Sequence, residues 1–479
     1  MPRIPRPALR RAAALGVAAV VCSSAVAVPA AAQESSGEVA ARGERAENPE
    51  GPAELTSTFF ARSNVSVQVM GDVLGPYSRN VGLDVGDLGT MAPLGDGSTG
   101  EFAMVFGDSF TGPGFGGGEW LSPVGVVATK DADGFIDIQR PLNRGNRVRQ
   151  MVSYQHTDGL TLLPSDIINI DGTLYMQAMW NQGLHSVKST QVFRSEDDGQ
   201  TWRKASGNHY SRYGGMDELI SWEMGPNGDY VYAVSTKFDR ANPVYLWRTA
   251  PENIADQSKW ELYDASRSQW VENGQRGAAV LDRNRNWTPL KAGELNLRYI
   301  DGYWVLVMFN ESTLSVEVRI SDTLERDWNR VPVVAIANHG SWNRPQTPAN
   351  WSQPYGGYIV PGSHVNDMDI VISQWNTETN NRYMATQFKV KGLERAFRTG
   401  GESVEVTPVG QKPEKHARPA SQGNGTSPGT DSSALGSSDS FAAVAIALGV
   451  IAGVAGLAAV SWPVLRPLLP PQVQAALPF

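Results

Sequence analysis

The stretch TLYMQAMWNQGLHSVKSTQVFRSEDDGQTW, Thr173–Trp202, decides the architecture. Two short apolar and aromatic runs, Thr173–Trp180 and Gln191–Arg194, have strand composition and are separated by Asn and Gly. Ser195–Trp202 then matches the pattern S-x-D-x-G-x-T-W, an Asp-box. In such a segment Asp, Ser and Thr hydrogen-bond the turn backbone, Gly takes positive φ and Trp packs on the sheet. It is predicted to be a hairpin turn between outer strands of a propeller blade, a structural device with no information about substrate.

Outward from this unit the same pattern recurs. Aromatic-rich second strands are read at Glu101–Asp108, Thr173–Trp180, Tyr230–Lys237, Tyr303–Asn310 and Asp367–Trp375, with starts 72, 57, 73 and 64 residues apart. Third strands follow at Gln191–Arg194, Val244–Arg248, Ser315–Ile320 and Tyr383–Phe388. Gly, Asn, Asp and Pro separate the runs, and no helical stripe interrupts them. Radial repetition of four-stranded sheets is a β-propeller, and five units fill residues 55–396. The expected fold is all-β, a five-bladed β-propeller ectodomain, with a large β-sandwich as the alternative.

The ends read differently. Residues 1–32 carry four Arg, then an uncharged Ala/Val run and Ala30-Ala31-Ala32, as a secretory signal peptide does. Residues 33–54 have the composition of a disordered segment. Residues 397–440 read as a Gly/Ser/Pro-rich stalk, 441–462 as a single C-terminal transmembrane helix and 463–479 as a short cytoplasmic tail. The expected localisation is therefore the plasma membrane, with the propeller on the outer, cell-wall side. The chain has 41 Lys+Arg against 49 Asp+Glu, so loss of the four signal arginines leaves a net charge of −12. That balance excludes a nucleic-acid partner, because such affinity comes from Lys and Arg on phosphates. The one cysteine, Cys22, lies inside the signal, so a disulfide scaffold, a Cys nucleophile and Cys–zinc sites are excluded.

In a propeller the start of a first strand and the end of a second strand lie on one face. The first-strand starts are read to hold Asp87, Asp166, Glu223 and Glu294, and the second-strand ends Asp108, Trp180, Lys237, Asn310 and Trp375. Gathered carboxylates repel, so at least one pKa rises, which leaves a protonated acid near neutral pH. Indole faces stack on sugar rings while amides and Lys bind hydroxyls, the composition of a glycoside-hydrolase cleft. Asp87 and Asp108 are the catalytic candidates, each in a Gly-flanked turn; Asp166, Trp180, Lys237, Glu294, Asn310 and Trp375 are the substrate-binding candidates. A lone strand-end Asp also serves as a turn cap, the bland alternative for each acid. Asp131, Asp133 and Asp137 lack the full calcium-loop pattern and read as a hairpin turn. The six histidines show no paired metal spacing, so no metal and no cofactor is expected, with a structural calcium left open. Gly112–Gly118 (GPGFGGG) has no phosphate-loop Lys and reads as a flexible lip.

The motifs GDLGTM and, about twenty residues on, FGDSF, followed by LPSDIINIDGTLYM, SEDDGQTW, VYLWRTAPENI, GELNLRY and QPYGGYIVPGSH…VISQW, resemble a known family. It is the actinobacterial domain-of-unknown-function family 4185, classed as glycoside hydrolase family 183, and the similarity covers roughly residues 60–390. The resemblance implies a five-bladed propeller with endo-D-arabinanase activity on the D-arabinan of arabinogalactan and lipoarabinomannan. By motif, the family's two acidic positions fall on Asp87 and Asp108. Departures are the Gly-rich insert at Thr111–Gly118 and Glu119-Trp120-Leu121-Ser122, where the family pattern leads one to expect an Arg near the Ser-Pro. The expected protein is a monomeric, membrane-tethered glycosidase of cell-wall polysaccharide. Its rivals are a non-catalytic carbohydrate-binding propeller, a sialidase-type enzyme and an envelope assembly scaffold. The sialidase reading lacks Arg at the first-strand starts.

Overall fold

A computed structural model describes residues 65–398. The predicted signal peptide, membrane helix and tail, and nearly all of the stalk, lie outside the described residues. Among the described residues no helix is long and apolar enough to cross a membrane.

Five antiparallel sheets follow one another along the chain. From the axis outward, blade 1 comprises Val85–Pro93, Phe102–Phe110, Val124–Lys130 and Ile136–Pro141. Blade 2 comprises Leu160–Ile170, Thr173–Gln182, Val187–Ser195 and Arg203–Lys204. Blade 3 begins Leu219–Met224, Val231–Thr236 and Tyr245–Thr249, and adds two further strands, Glu261–Asp264 and Gln269–Val271, so it exceeds the four strands expected. Blade 4 is Ala292–Ile300, Tyr303–Asn310, Ser315–Ser321 and Val333–Asn338. Blade 5 is Pro354–Ile359, Asp367–Trp375 and Tyr383–Lys391, completed by the N-terminal strand Ser66–Asp72. The first strands of neighbouring blades touch in a closed ring, including blade 5 against blade 1. The architecture is therefore an all-β, five-bladed propeller and not a sandwich.

Closure joins the two ends of the domain. Ser66–Asp72 pairs antiparallel with Tyr383–Lys391. Arg382 donates twice to the Asp72 carboxylate, at 2.8 and 2.8 Å, and Thr386 donates to it at 2.8 Å. A bidentate pair of this kind fixes register as well as adding energy.

Blade packing explains the near-continuous burial of the inner strands. Pro354–Ile359 is buried at every residue, and Val85–Pro93 at all but the last. A strand with a blade on each side has no solvent face, so it lacks the alternation of a half-exposed strand. The Asp-box turn lies between Val187–Ser195 and Arg203–Lys204. Asp197 accepts from the Thr201 amide and hydroxyl, Ser195 Oγ accepts from the Gly199 amide, and Trp202 donates to Gly199 O. The acidic segment at Asp131 is likewise a hairpin turn, with Asp131 Oδ1 accepting from the amides of Asp133 and Phe135.

Register defines two faces. Val85 opposes Phe110, Leu160 opposes Gln182, Leu219 opposes Thr236, Ala292 opposes Asn310 and Pro354 opposes Gln374. These pairs mark the upper face. Ser66 opposes Lys391 at the other end, so the chain enters and leaves the propeller on the lower face.

Candidate active site

On the upper face of blade 1, Gly86 pairs with Ser109 and Leu88 with Phe106. Asp87 thus stands opposite two residues, Gly107 and Asp108. This bulge brings the two sequence-predicted carboxylates together. The backbone is held off the usual pleat: Leu88 has φ +63° and its amide donates to Ser373 Oγ of blade 5 at 2.8 Å. A non-Gly residue in that region persists only where its surroundings enforce it. Gly107 is required by close approach, since a Cβ there would lie 2.7 Å from Asp87 Oδ1.

The two acids have different environments. Asp87 is buried; its Oδ2 accepts from Tyr355 OH at 3.0 Å, and its Oδ1 has no partner. Burial, then the charge of Asp108, pushes the Asp87 carboxyl up to about 8, against hydrogen bonds from Tyr383 and Tyr355. Asp108 Oδ1 accepts from Trp120 Nε1 and from Thr161 Oγ1, each at 2.8 Å. Burial raises its pKa as well, while those donors and the neighbouring His156 oppose the rise. Two donors on one oxygen favour the anion. Burial first, then the charge of Asp87, holds the Tyr355 and Tyr383 phenols well above the ordinary range, so both remain donors.

Blade 4 supplies a third carboxylate on this face. Glu294 Oε1 lies 2.6 Å from Arg240 Nη2. Burial opposes its charge, but the Arg240 ion pair and hydrogen bond outweigh that and depress the pKa. The Arg240 guanidinium lies over the rings of Phe309 and Tyr355 at 5.1 and 5.2 Å. Tyr355 therefore links the Arg240–Glu294 pair to Asp87. Glu294 Oε2, Arg240 Nε and His185 Nδ1 are buried without partners. Burial, then the charge of Arg240, pushes His185 down to about 4, so its imidazole is neutral at physiological pH. Among the described residues no group of three or more His, Cys, Asp or Glu could hold a metal ion.

The other sequence candidates separate. Trp180, Lys237 and Trp375 lie at upper-face strand ends. Trp180 Nε1 donates to Gln191 Oε1 at 3.2 Å, and Lys237 pairs with Asp239 at 3.0 Å. Trp375 donates to Asn380 Oδ1 at 2.8 Å. Three expectations need correction. Asp166 pairs with Gln177 in mid-strand, because the first strand of blade 2 begins at Leu160 and runs eleven residues. It is fully buried and accepts from Thr90, Ser221, the amides of Ile167 and Trp222, and bidentately from Arg298 at 2.9 and 2.9 Å. It ties blades 1 to 4 together at the axis and is not a rim residue. Glu223 pairs with Tyr232 near the start of the second strand, so it belongs to the lower face. Asn310 is at an upper strand end but wholly buried, donating to Asn284 Oδ1 at 2.8 Å and Glu317 Oε1 at 3.0 Å.

The sequence reading missed Trp120, Thr161, Tyr355, Tyr383 and Arg240. Trp120 lies in the Glu119–Ser122 segment singled out as a family departure, and its indole stacks on His156 at 3.8 Å and 17°. The others carry no local signal, because their partners come from neighbouring blades that lie 53 to 268 residues away along the chain.

A five-bladed propeller with clustered acids where the upper faces of blades 1 and 4 meet the axis is the class of protein defined here. The family model described as "Domain of unknown function (DUF4185)" matches residues 76–389, and the chain belongs to that family. A Mycolicibacterium smegmatis relative, "Uncharacterized 35.9 kDa protein in asd 3'region", is 27% identical over 316 residues, 60% of this chain and 88% of the relative. A Bacteroides ovatus structure provisionally assigned as a hydrolase aligns with TM-score 0.50 and 12% identity, over 71% of this chain and 93% of that one, and shares the fold. A GH43 endo-arabinanase from Bacillus licheniformis aligns with TM-score 0.38 and 12% identity, over 64% and 94%.

Proposed function

We propose that the protein is a glycoside hydrolase that cleaves D-arabinofuranosyl linkages within the D-arabinan of arabinogalactan or lipoarabinomannan, an endo-D-arabinanase of glycoside hydrolase family 183. The observation that carries this reading is the bulged pair Asp87 and Asp108, adjacent in register yet differing in partners, one carboxylate oxygen of Asp87 having no donor and one of Asp108 having two. Asp87 retains its proton and donates it to the departing glycosidic oxygen. Asp108, anchored by Trp120 and Thr161, is the anionic partner that activates water or attacks the anomeric carbon. The D-arabinan substrate rests on the family motifs at Gly86–Gly89 and Phe106–Phe110.

The export signal and C-terminal anchor belong to the same proposal.

The test is chromatography of products after incubating the purified protein with D-arabinan. Oligosaccharides absent from an Asp87→Asn control support the reading. Polymer binding without products overturns it and leaves a carbohydrate-binding propeller. A second variant probes the partner acid. Trp120→Phe keeps the ring over His156 but removes one donor from Asp108. A hydrogen bond to a charged group contributes about 1.5–3 kcal/mol, so kcat should fall about 10–100-fold. The acidic limb of the pH profile should also move upward, because the Asp108 anion loses support. An unmoved limb would separate Trp120 from Asp108.

A further inference from the structure

The Gly-rich insert is a short hairpin arm standing on the site. Its legs are Ser109-Phe110 and Trp120-Leu121, which pair with each other, so the arm grows directly from Asp108 on one side and carries Trp120 on the other. The Thr111 amide donates to Glu119 O at 3.1 Å and the Gly112 amide to Gly117 O at 3.0 Å. The neck is backbone packed on backbone: a Cβ on Gly117 would lie 2.4 Å from Pro113 O, and one on Gly118 2.7 Å from the Gly112 amide nitrogen. Gly114, Gly116 and Gly118 have φ of +75°, +80° and +71°. Phe115 is the one aromatic side chain at the tip.

Phe115 crosses to blade 5. Its ring lies flat on Trp375, with centroids 4.8 Å apart at 22°, and meets Phe110 and Tyr383 edge-on, each at 5.0 Å. Tyr383 in turn lies beside Asp87 and lowers its carboxyl pKa. The covered indole is thus one residue from the acid, where a flat aromatic face would stack a sugar ring. Phe115 remains partly exposed, and a tip held by one side chain on a glycine neck can leave its seat without disturbing a blade.

We propose that Phe115 is a specificity-determining plug: it occupies the sugar-stacking face of Trp375, closing the subsite beside Asp87 until a long glycan displaces it. The inference rests on the glycosidase reading above. Occupancy of the face by Phe115 lowers apparent affinity by the fraction of molecules that are open. Removing the ring removes that factor.

The experiment compares Asp87→Asn with Asp87→Asn/Phe115→Ala, titrating D-arabino-oligosaccharides by calorimetry. The double variant should bind about 3–10-fold more tightly, and adding Trp375→Ala should abolish the gain. Equal or weaker binding overturns the plug and makes Phe115 part of a fixed wall. A ligand-free measurement is independent of the substrate. With 5-fluorotryptophan, the Trp375 resonance, assigned through Trp375→Phe, should show microsecond-to-millisecond exchange that Phe115→Ala removes. A resonance without exchange in the unsubstituted protein also overturns the plug. If no variant binds the oligosaccharides but exchange is present, the substrate reading fails and the moving lip stands.

Discussion

Asp87→Asn is expected to lower kcat on D-arabinan by about 10²–10⁴-fold, the usual contribution of a positioned proton donor. The substitution preserves shape and the acceptor for Tyr355 and removes only the proton that the proposed mechanism spends. The pH dependence carries a sign that separates this role from a positional one. The folded pKa is about 8, against an ordinary value of 3.8, so activity should fall as pH rises through about 8. The residual activity of the variant should lack that alkaline fall. Stability should follow the same group. Below pH 4 Asp87 is protonated both folded and unfolded. Between about 4 and 8 the unfolded chain releases the proton and the folded chain keeps it, so stability is lost as pH rises. The variant should therefore show a flatter Tm profile between pH 4 and 8 and a higher Tm at pH 8. A wild-type rate in Asp87→Asn, or an unchanged Tm slope, would remove Asp87 from the role of acid.

Arg298→Met is expected to have the largest effect on stability, at the axis and not at the site. It leaves Asp166 fully buried without its cation. Removing one partner of a buried pair costs about 3–5 kcal/mol, and the lower end applies because Thr90, Ser221 and two amides still donate to the carboxylate. Arg298 also donates to Met91 O at 3.0 Å and Trp222 O at 3.2 Å, so blades 1 and 3 lose a shared tie. Glu223, 3.8 Å from Arg298, responds too. Burial raises its carboxyl to about 7 while Arg298 holds it down, so loss of the cation moves it higher. Denaturant unfolding should show a lower midpoint, and Asp166→Asn/Arg298→Met should recover part of the loss. A full loss in the double variant would refute an electrostatic origin, and a midpoint unchanged by Arg298→Met would show that the ion pair is not needed.

Local patterning carried most of the fold. Tyr303–Asn310 and Asp367–Trp375 are strands with the bounds read from the sequence, because apolar and aromatic runs bounded by turn residues are a property of neighbours along the chain. The Asp-box turn was legible for the same reason, since its hydrogen bonds close within eight residues. The extra strand of blade 3 was not legible. Gln269–Val271 is three residues long and holds its place by pairing with Glu261–Asp264.

The sequence alone determined the repeated unit, hence an all-β propeller of five blades, the family, and the two Gly-flanked acids, though these stand within paired strands and not in turns. Only the tertiary structure decided which acids meet. Depth within a strand depends on where pairing begins, so Asp166 sits at mid-axis and Glu223 on the far face, while Asp87 and Asp108 come together through one bulge. Partner identity was likewise a tertiary matter. Tyr355 is 268 residues from Asp87, and Arg298 is 132 from Asp166. No spacing rule along the chain encodes such pairs, because ring closure alone brings them within hydrogen-bond distance.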